Sequence, residues 1–243
     1  MPHFLIKNEN INENKITISD KELYNHLIKV RRTRLGEQLL FLDENEIQYE
    51  TILSGMSRNS LSCEIKKQYK SSRKLNLDLY VAQSVLNSDA QTSSIQKATE
   101  LGVKGIIPLH TDNCAVKESF INSKIEKWQK IALESVKQCK RADIPTVFEL
   151  SKLENIIDNF DYVIVFAERD TNQTFFDYLK SESIDKTKKI LVVIGPEGGF
   201  SQREFDFFKQ KKLPLITLGN LIYRADTALV AALTSVISGV LNE

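Results

Sequence analysis

The feature that most limits the fold is a change of pattern near residue 75. Beyond it, short apolar runs alternate with segments of helical period. Leu77–Ala82, Gly105–Leu109, Tyr162–Phe166, Ile190–Ile194 and Leu215–Leu218 read as strands. Thr92–Leu101, Ile121–Lys140, Leu153–Asn159, Thr174–Lys180, Ser201–Gln210 and Thr227–Leu241 read as helices. Such alternation builds βαβ units, whose crossovers require a mainly parallel sheet, so the class is α/β. Ser151 to Glu154 and Ser201 to Glu204 have capping-box spacing and predict helix starts. Gly102 predicts a left-handed helix end. Ile121, Ile125, Trp128, Ala132 and Val136 recur at helical spacing and predict a core face, with Lys127, Lys130, Lys137 and Arg141 on another face.

Before the change, the strands are short and closely spaced: Phe4–Ile6, Lys15–Ile18, Gln38–Leu42, Ile47–Leu53 and Leu61–Ile65. Asp43-Glu44-Asn45 predicts a hairpin turn, and Ser19 to Glu22 a capping box opening a helix toward Lys29. Together these suggest a small β-barrel-like domain followed by a polar, basic linker, Gln68–Lys74. For 243 residues, one small domain over 1–72 and a larger one over 73–243 fit the usual domain sizes.

The formal net charge of +1 counts against nucleic acid as a partner, until the charges are located. The first 74 residues hold 13 Lys/Arg against 10 Asp/Glu, and the remainder 20 against 22. Lys29, Arg31, Arg32 and Arg34 fall within six residues; Lys66, Lys67, Lys70, Arg73 and Lys74 fall within nine. Clusters like these suit phosphate contacts, and suit a solvated face equally well. Cys63, Cys114 and Cys139 form no Cys-x-x-Cys pair, which predicts reduced thiols in the cytoplasm and no zinc cluster. The first ten residues lack the apolar core of a signal peptide. Leu229–Leu241 is too short to span a bilayer and predicts a buried helix. His3, His26 and His110 have neither metal-ligand nor triad spacing.

The strongest local signal is Ile190-Leu-Val-Val-Ile-Gly-Pro-Glu-Gly-Gly-Phe-Ser201, an apolar strand, a turn and a capped helix start. Three of the nine glycines lie within these five turn residues, where backbone can approach a ligand closely. Ligands of open α/β sheets bind outside the carboxyl ends of strands. Neither a dinucleotide fingerprint nor a P-loop is present, and a tight structural turn is the competing reading. Leu218-Gly-Asn-Leu-Ile-Tyr-Arg-Ala-Asp-Thr-Ala228 likewise leaves a strand and enters a helix. Its Arg224 and Asp226 form either a structural ion pair or a polar ligand clamp. In Ile95-Gln-Lys-Ala-Thr-Glu-Leu-Gly102, Lys97 and Glu100 share one face.

Those three segments, with Gln138…Arg141…Pro145, resemble the ribosomal RNA small subunit methyltransferase E family of the SPOUT superfamily, in the family's order and over nearly the whole chain. The resemblance implies a PUA-like β-barrel RNA-binding domain followed by an α/β domain with a deep C-terminal trefoil knot. It implies S-adenosyl-L-methionine, leaving as S-adenosyl-L-homocysteine, held by Phe166, Glu168, Gly195, Pro196, Gly198, Gly199, Leu218, Gly219, Leu221, Ile222, Tyr223, Thr227 and Ala228. The implied reaction is methylation of N3 of one uridine in 16S ribosomal RNA, with no metal. Arg224 and Arg141 become candidates for holding phosphate or the developing anion, and Glu197 and Asp226 for an orienting group or base. Lys29, Arg31, Arg32, Arg34 and Lys97 become RNA-contact candidates. The implied partners are 16S RNA or the small subunit and a second copy of the chain, with no membrane.

Two departures stand out. Val85-Leu-Asn-Ser-Asp-Ala90 carries an acid where the family usually has a glycine with basic residues, and Asp226 stands where glutamate is typical. A SPOUT methyltransferase acting on another RNA, or a non-catalytic RNA-binding relative, are the competing readings.

Overall fold

Apolar runs without alternation need cover on both faces, and the computed structural model, which describes residues 3–242, supplies it. Two units are present: one ending at Lys74 and including Val136–Asp143, the other formed by Leu75–Ser135 with the chain from Ile144.

The larger unit is built on a six-stranded, wholly parallel sheet. Its strands are β7 (Asp78–Ser84), β8 (Gly105–Leu109), β9 (Thr146–Val147), β10 (Tyr162–Phe166), β11 (Lys189–Ile194) and β12 (Leu215–Ile216). Their spatial order is β12-β10-β11-β7-β8-β9. Along β11, Ile190, Val192 and Ile194 enter one apolar cluster, while Leu191 and Val193 enter the other. Along β10, Ile164 and Phe166 divide from Val163 and Val165 in the same way. The pleat sends successive side chains to opposite faces, so a strand covered twice reads as one continuous apolar run. Helices α2 (Ser88–Glu100), α5 (Phe175–Ser181) and α7 (Ala225–Asn242) cover the first face through Ile95, Ala98, Phe175, Leu229, Ala232, Leu233 and Val236; α6 (Gln202–Gln210) covers the second with Phe205 and Phe208. By length and composition alone, the whole of α7 is long and apolar enough to cross a bilayer, but Leu229, Ala232, Leu233, Val236 and Val240 are buried, as expected for a core helix. Here it lies along the core.

Several helix boundaries differ from expectation. α2 begins four residues earlier than Thr92, at an Asn87 cap that accepts from the Ala90 amide. The segment 121–140 breaks into α3 (Glu118–Asn122) and α4 (Ile125–Cys139) at Asn122-Ser123; the Ser123 hydroxyl turns back onto the Phe120 carbonyl, competing with the ladder. Ser151 caps nothing. Its backbone extends the sheet edge through Pro108 and His110, and only 3-10 turns follow, at Leu153–Asn155 and Ile157–Asn159. The Ser201–Glu204 box forms in both directions, and Gly102 closes α2 with φ +92°.

The N-terminal unit holds β1 (His3–Leu5), β2 (Ile11–Asn12), β3 (Lys15–Ile18), β4 (Gln38–Leu42), β5 (Ile47–Met56) and β6 (Leu61–Lys70), in the order β1-β4-β5-β6-β3-β2. α1 (Lys21–Asn25) is capped by Asp20 rather than Ser19, through the Leu23 amide, and continues as a π-helical turn, His26–Val30. Phe4, Ile16, Ile18, Leu27, Leu39, Phe41, Leu53 and Leu61 form its core, with Cys63, whose thiol burial pushes up to about 11. The expected linker from Gln68 is a correction, because Gln68–Lys70 belong to β6. Beyond Ile65 that strand is exposed except for half-buried Tyr69, so no apolar alternation marks it. Its pairing is polar: Gln48 donates to the Tyr69 hydroxyl at 2.7 Å, which donates to Glu50 at 3.1 Å.

Leu191 is fully buried at the centre of the parallel sheet. Leu191→Ala should lower unfolding stability by about 2–5 kcal/mol through lost transfer energy and a residual cavity. Urea denaturation checks this, and an unchanged midpoint contradicts the two-sided packing.

Candidate active site

Parallel neighbours bring the carboxyl ends of β10, β11 and β12 to one edge of the sheet. The loops leaving them enclose a cavity of about 770 Å³, within the range of roughly 300–1,000 Å³ common to ligand sites. Phe166 ends β10 and Glu168 follows it on the first loop; Gly195, Pro196, Glu197, Gly198 and Gly199 come from the second, Leu218, Gly219, Leu221, Ile222, Tyr223 and Arg224 from the third, and Ala228 from α7 behind it.

The second loop is fixed at several points. The Gly199 amide donates to the Pro196 carbonyl at 3.0 Å, closing the turn. Gly199 has φ +69°, in the left-handed region that favours glycine, and a Cβ there would meet the end of the Glu168 side chain, which would have to swing aside. Asn113 donates to the Gly199 carbonyl at 2.9 Å, and buried Gln83 reaches the Gly195 carbonyl at 3.5 Å. Behind the loop, Ser201 caps α6 and donates to Asp112 at 2.5 Å. Arg203 forks onto both Asp112 oxygens at 2.9 and 2.7 Å and reaches Glu154 at 3.0 Å. Buried Glu204 accepts from the amides of Ser201 and Asp112. The Arg203 guanidinium and the Ser201 hydroxyl hold the Asp112 carboxyl down at about 2.

The third loop carries Arg224, whose side chain is 78% exposed, at the cavity. Asp226 is not part of the cavity lining. Its carboxylate lies between Lys97 at 3.3 Å and the Arg224 Nε at 3.8 Å, with only 16% of its side chain exposed. Asp226 therefore tethers Arg224 to α2. Lys97 spends its charge on this pair rather than on Glu100. Leu221, Ile222 and Tyr223 line the cavity and are also exposed to solvent.

Of the residues expected to hold cofactor, all but Thr227 line the cavity; Thr227 is exposed on the first turn of α7. Of the expected catalytic set, Glu197 and Arg224 line it, and Asp226 does not. Arg141 belongs to the N-terminal unit, buried and forked onto Asp143 at 3.0 and 2.6 Å. Residues that sequence reasoning missed include Asn87, Ile194 and Thr217. For Asn87 a signal existed: it follows an apolar strand, caps a helix and lies at the carboxyl edge of the sheet. Of the RNA-contact candidates, Arg31 is tied to Glu37 at 2.9 Å and stacks over Phe4. Lys29, Arg32 and Arg34 are exposed, without an ion pair among the described residues. Glu64 and Glu46 partly neutralise the second basic cluster by pairing with Lys66, Lys70 and Lys74.

A pH dependence follows from Asp112. Its carboxyl titrates at about 2 when folded, against an ordinary 3.8, so its stabilising effect is complete above 3.8 and is lost as pH falls through about 2. The stability gap between the natural chain and Asp112→Asn should therefore be constant near neutrality and close between those values. Chemical denaturation as a function of pH measures it; a gap independent of pH contradicts the Asp112–Arg203 account.

A family model described as RNA methyltransferase domain matches residues 73–237, and one described as RNA methyltransferase PUA domain matches 18–66. The ribosomal RNA small subunit methyltransferase E of Buchnera aphidicola subsp. Schizaphis graminum is 30% identical over 229 residues, 90% of this chain and 89% of that one. The Bacillus subtilis protein of the same name is 28% identical over 90% of this chain and 88% of its own. A crystal structure of the Neisseria gonorrhoeae ribosomal RNA small subunit methyltransferase E bound to S-adenosyl methionine shares the fold, with TM-score 0.82 at 21% identity, covering 98% of this chain and 97% of that one. On its matched domains and its relatives, the chain belongs to the ribosomal RNA small subunit methyltransferase E family.

Proposed function

We propose that the chain transfers the methyl group of S-adenosyl-L-methionine to N3 of a specific uridine in 16S ribosomal RNA, releasing S-adenosyl-L-homocysteine. The observation that carries this reading is the cavity at three adjacent strand ends, where Glu168 from the first loop and Glu197 from the glycine loop bring two carboxylates to one surface. A sulfonium cofactor is cationic at the reacting centre and suits that charge. Phe166, Glu168, Gly195, Pro196, Gly198, Gly199, Leu218, Gly219, Leu221, Ile222, Tyr223 and Ala228 would hold it. When bound, the cofactor supplies an electrophilic methyl group.

The chain's own residues have three tasks. The loops hold the two reactants in line, and positioning alone is worth several kcal/mol of barrier. Arg224, anchored by Asp226 but otherwise exposed, is placed to face the negative charge that uracil develops as N3 loses its proton. Glu197 presents a carboxylate to accept that proton. The carbon–sulfur bonding pair stays on sulfur, N3 forms the new bond, and the N3 proton passes to Glu197 or to water. Asp226, held between two cations outside the cavity lining, is a tether rather than the base.

The exposed Leu221, Ile222 and Tyr223 support a homodimer, because large apolar side chains at a site usually await cover. The parallel sheet, with β11 between β10 and β7, is compatible with the trefoil knot of the SPOUT fold. In the N-terminal unit, the exposed Lys29, Arg32 and Arg34 support contact with RNA phosphates. The cytoplasm, where ribosomes mature, is the location this reading implies.

Titration calorimetry with S-adenosyl-L-methionine tests the reading first, and absence of heat overturns it. Labelled methyl transfer to small subunits lacking the modification tests the rest. Arg224→Ala should lower transfer by about 100-fold or more, with a melting temperature near that of the natural chain, because surface substitutions cost little stability. Undiminished transfer contradicts the role given to Arg224.

A further inference from the structure

Asn87 joins two strand-end loops that are 110 residues apart in sequence. β7 and β11 are parallel neighbours, and Gln83 stands opposite Ile194, so the chain segments leaving them run side by side. From the first segment, the Asn87 Oδ1 accepts the Ala90 amide at 3.2 Å and caps α2. From the same side chain, Nδ2 donates to Glu197 Oε1 at 3.1 Å. Asn87 and Glu197 both line the cavity.

The amide is planar, and the cap decides which way it faces. An oxygen must meet the Ala90 N–H, so the nitrogen is directed at the carboxylate; the flipped amide would set acceptor against acceptor and donor against donor. One side chain thus couples the start of α2 to the orientation of Glu197. It engages a single carboxylate oxygen and leaves the other free. Being neutral, it directs Glu197 without cancelling its charge, as a lysine or arginine would. The other charged groups around the cavity are Glu168 and Arg224, with Asp89 beside Asn87 on the first turn of α2.

We infer that Asn87 is a positioning residue for methyl transfer, setting the direction of the Glu197 carboxylate in the cavity. This rests on the proposed role of Glu197 in accepting the N3 proton.

Asn87→Asp isolates the effect. Aspartate caps a helix as well as asparagine does, but it replaces the donor facing Glu197 with a second carboxylate. At neutral pH the turnover number should fall by about tenfold or more, as expected for losing a hydrogen bond to a charged group and adding a like charge. Affinity for S-adenosyl-L-methionine should not fall, since an added carboxylate faces a cationic cofactor, and the melting temperature should stay close to that of the natural chain. Two facing carboxyls share a proton as pH falls, and the shared proton restores a donor. The ratio of variant to natural turnover should therefore rise as pH is lowered toward about 5. Asn87→Ser keeps a capping oxygen but cannot reach Glu197, so its loss should be independent of pH. Undiminished turnover in either variant overturns the inference. So does a loss in Asn87→Asp that acid does not relieve, or one that merely follows a lower melting temperature. If the natural chain itself fails to bind S-adenosyl-L-methionine, the reading of the cavity fails instead, which calorimetry on that chain reports separately.

Discussion

Burial of β10 and β11 on both faces is the constraint from which the site follows. Their side chains interlock with apolar clusters above and below the sheet, so neither strand can slip its register without exposing a whole row. Register fixed in this way places the loops after Phe166 and Ile194 beside each other at one edge, and β12 adds the third loop. No regular ladder continues into those loops. Their backbone groups need other partners, and in the second loop Gln83, Asn113 and the Pro196–Gly199 turn supply them.

Electrostatics then sets which way the loops face. On one side, Asp112, Arg203, Glu154 and Glu204 lock the start of α6 to the segment after β8, with Asn113 holding the Gly199 carbonyl. On the other, Lys97 and Asp226 pin the start of α7 to α2 and keep Arg224 near the opening. These groups lie outside the cavity lining. Exposed ion pairs contribute little stability singly, so their value here is directional: they orient two loops whose apolar anchors are Phe200 and Ala225.

Much of this was legible in the residues. The alternation after Leu77 yields the parallel sheet because a strand buried twice leaves an unbroken apolar run. The Gly195–Gly199 turn and the Ser201 cap were visible because each requires particular residue types. What was not legible depended on partners distant in sequence. The strand end Gln68–Lys70 is stabilised by Tyr69, Gln48 and Glu50 rather than by apolar alternation. Ser151 has capping spacing, yet the sheet edge claims its backbone. Asp226 and Arg224 are adjacent enough to read as a pair, but the third member, Lys97, is 129 residues away. Arg141 matched a motif and is nevertheless occupied by Asp143 in the N-terminal unit.

The most direct measurement is the modification state of 16S ribosomal RNA from cells lacking this chain, digested and mapped by mass spectrometry. The account predicts that one 3-methyluridine present in the parent is missing and returns when the chain is restored. A 3-methyluridine complement unchanged by the deletion would contradict it.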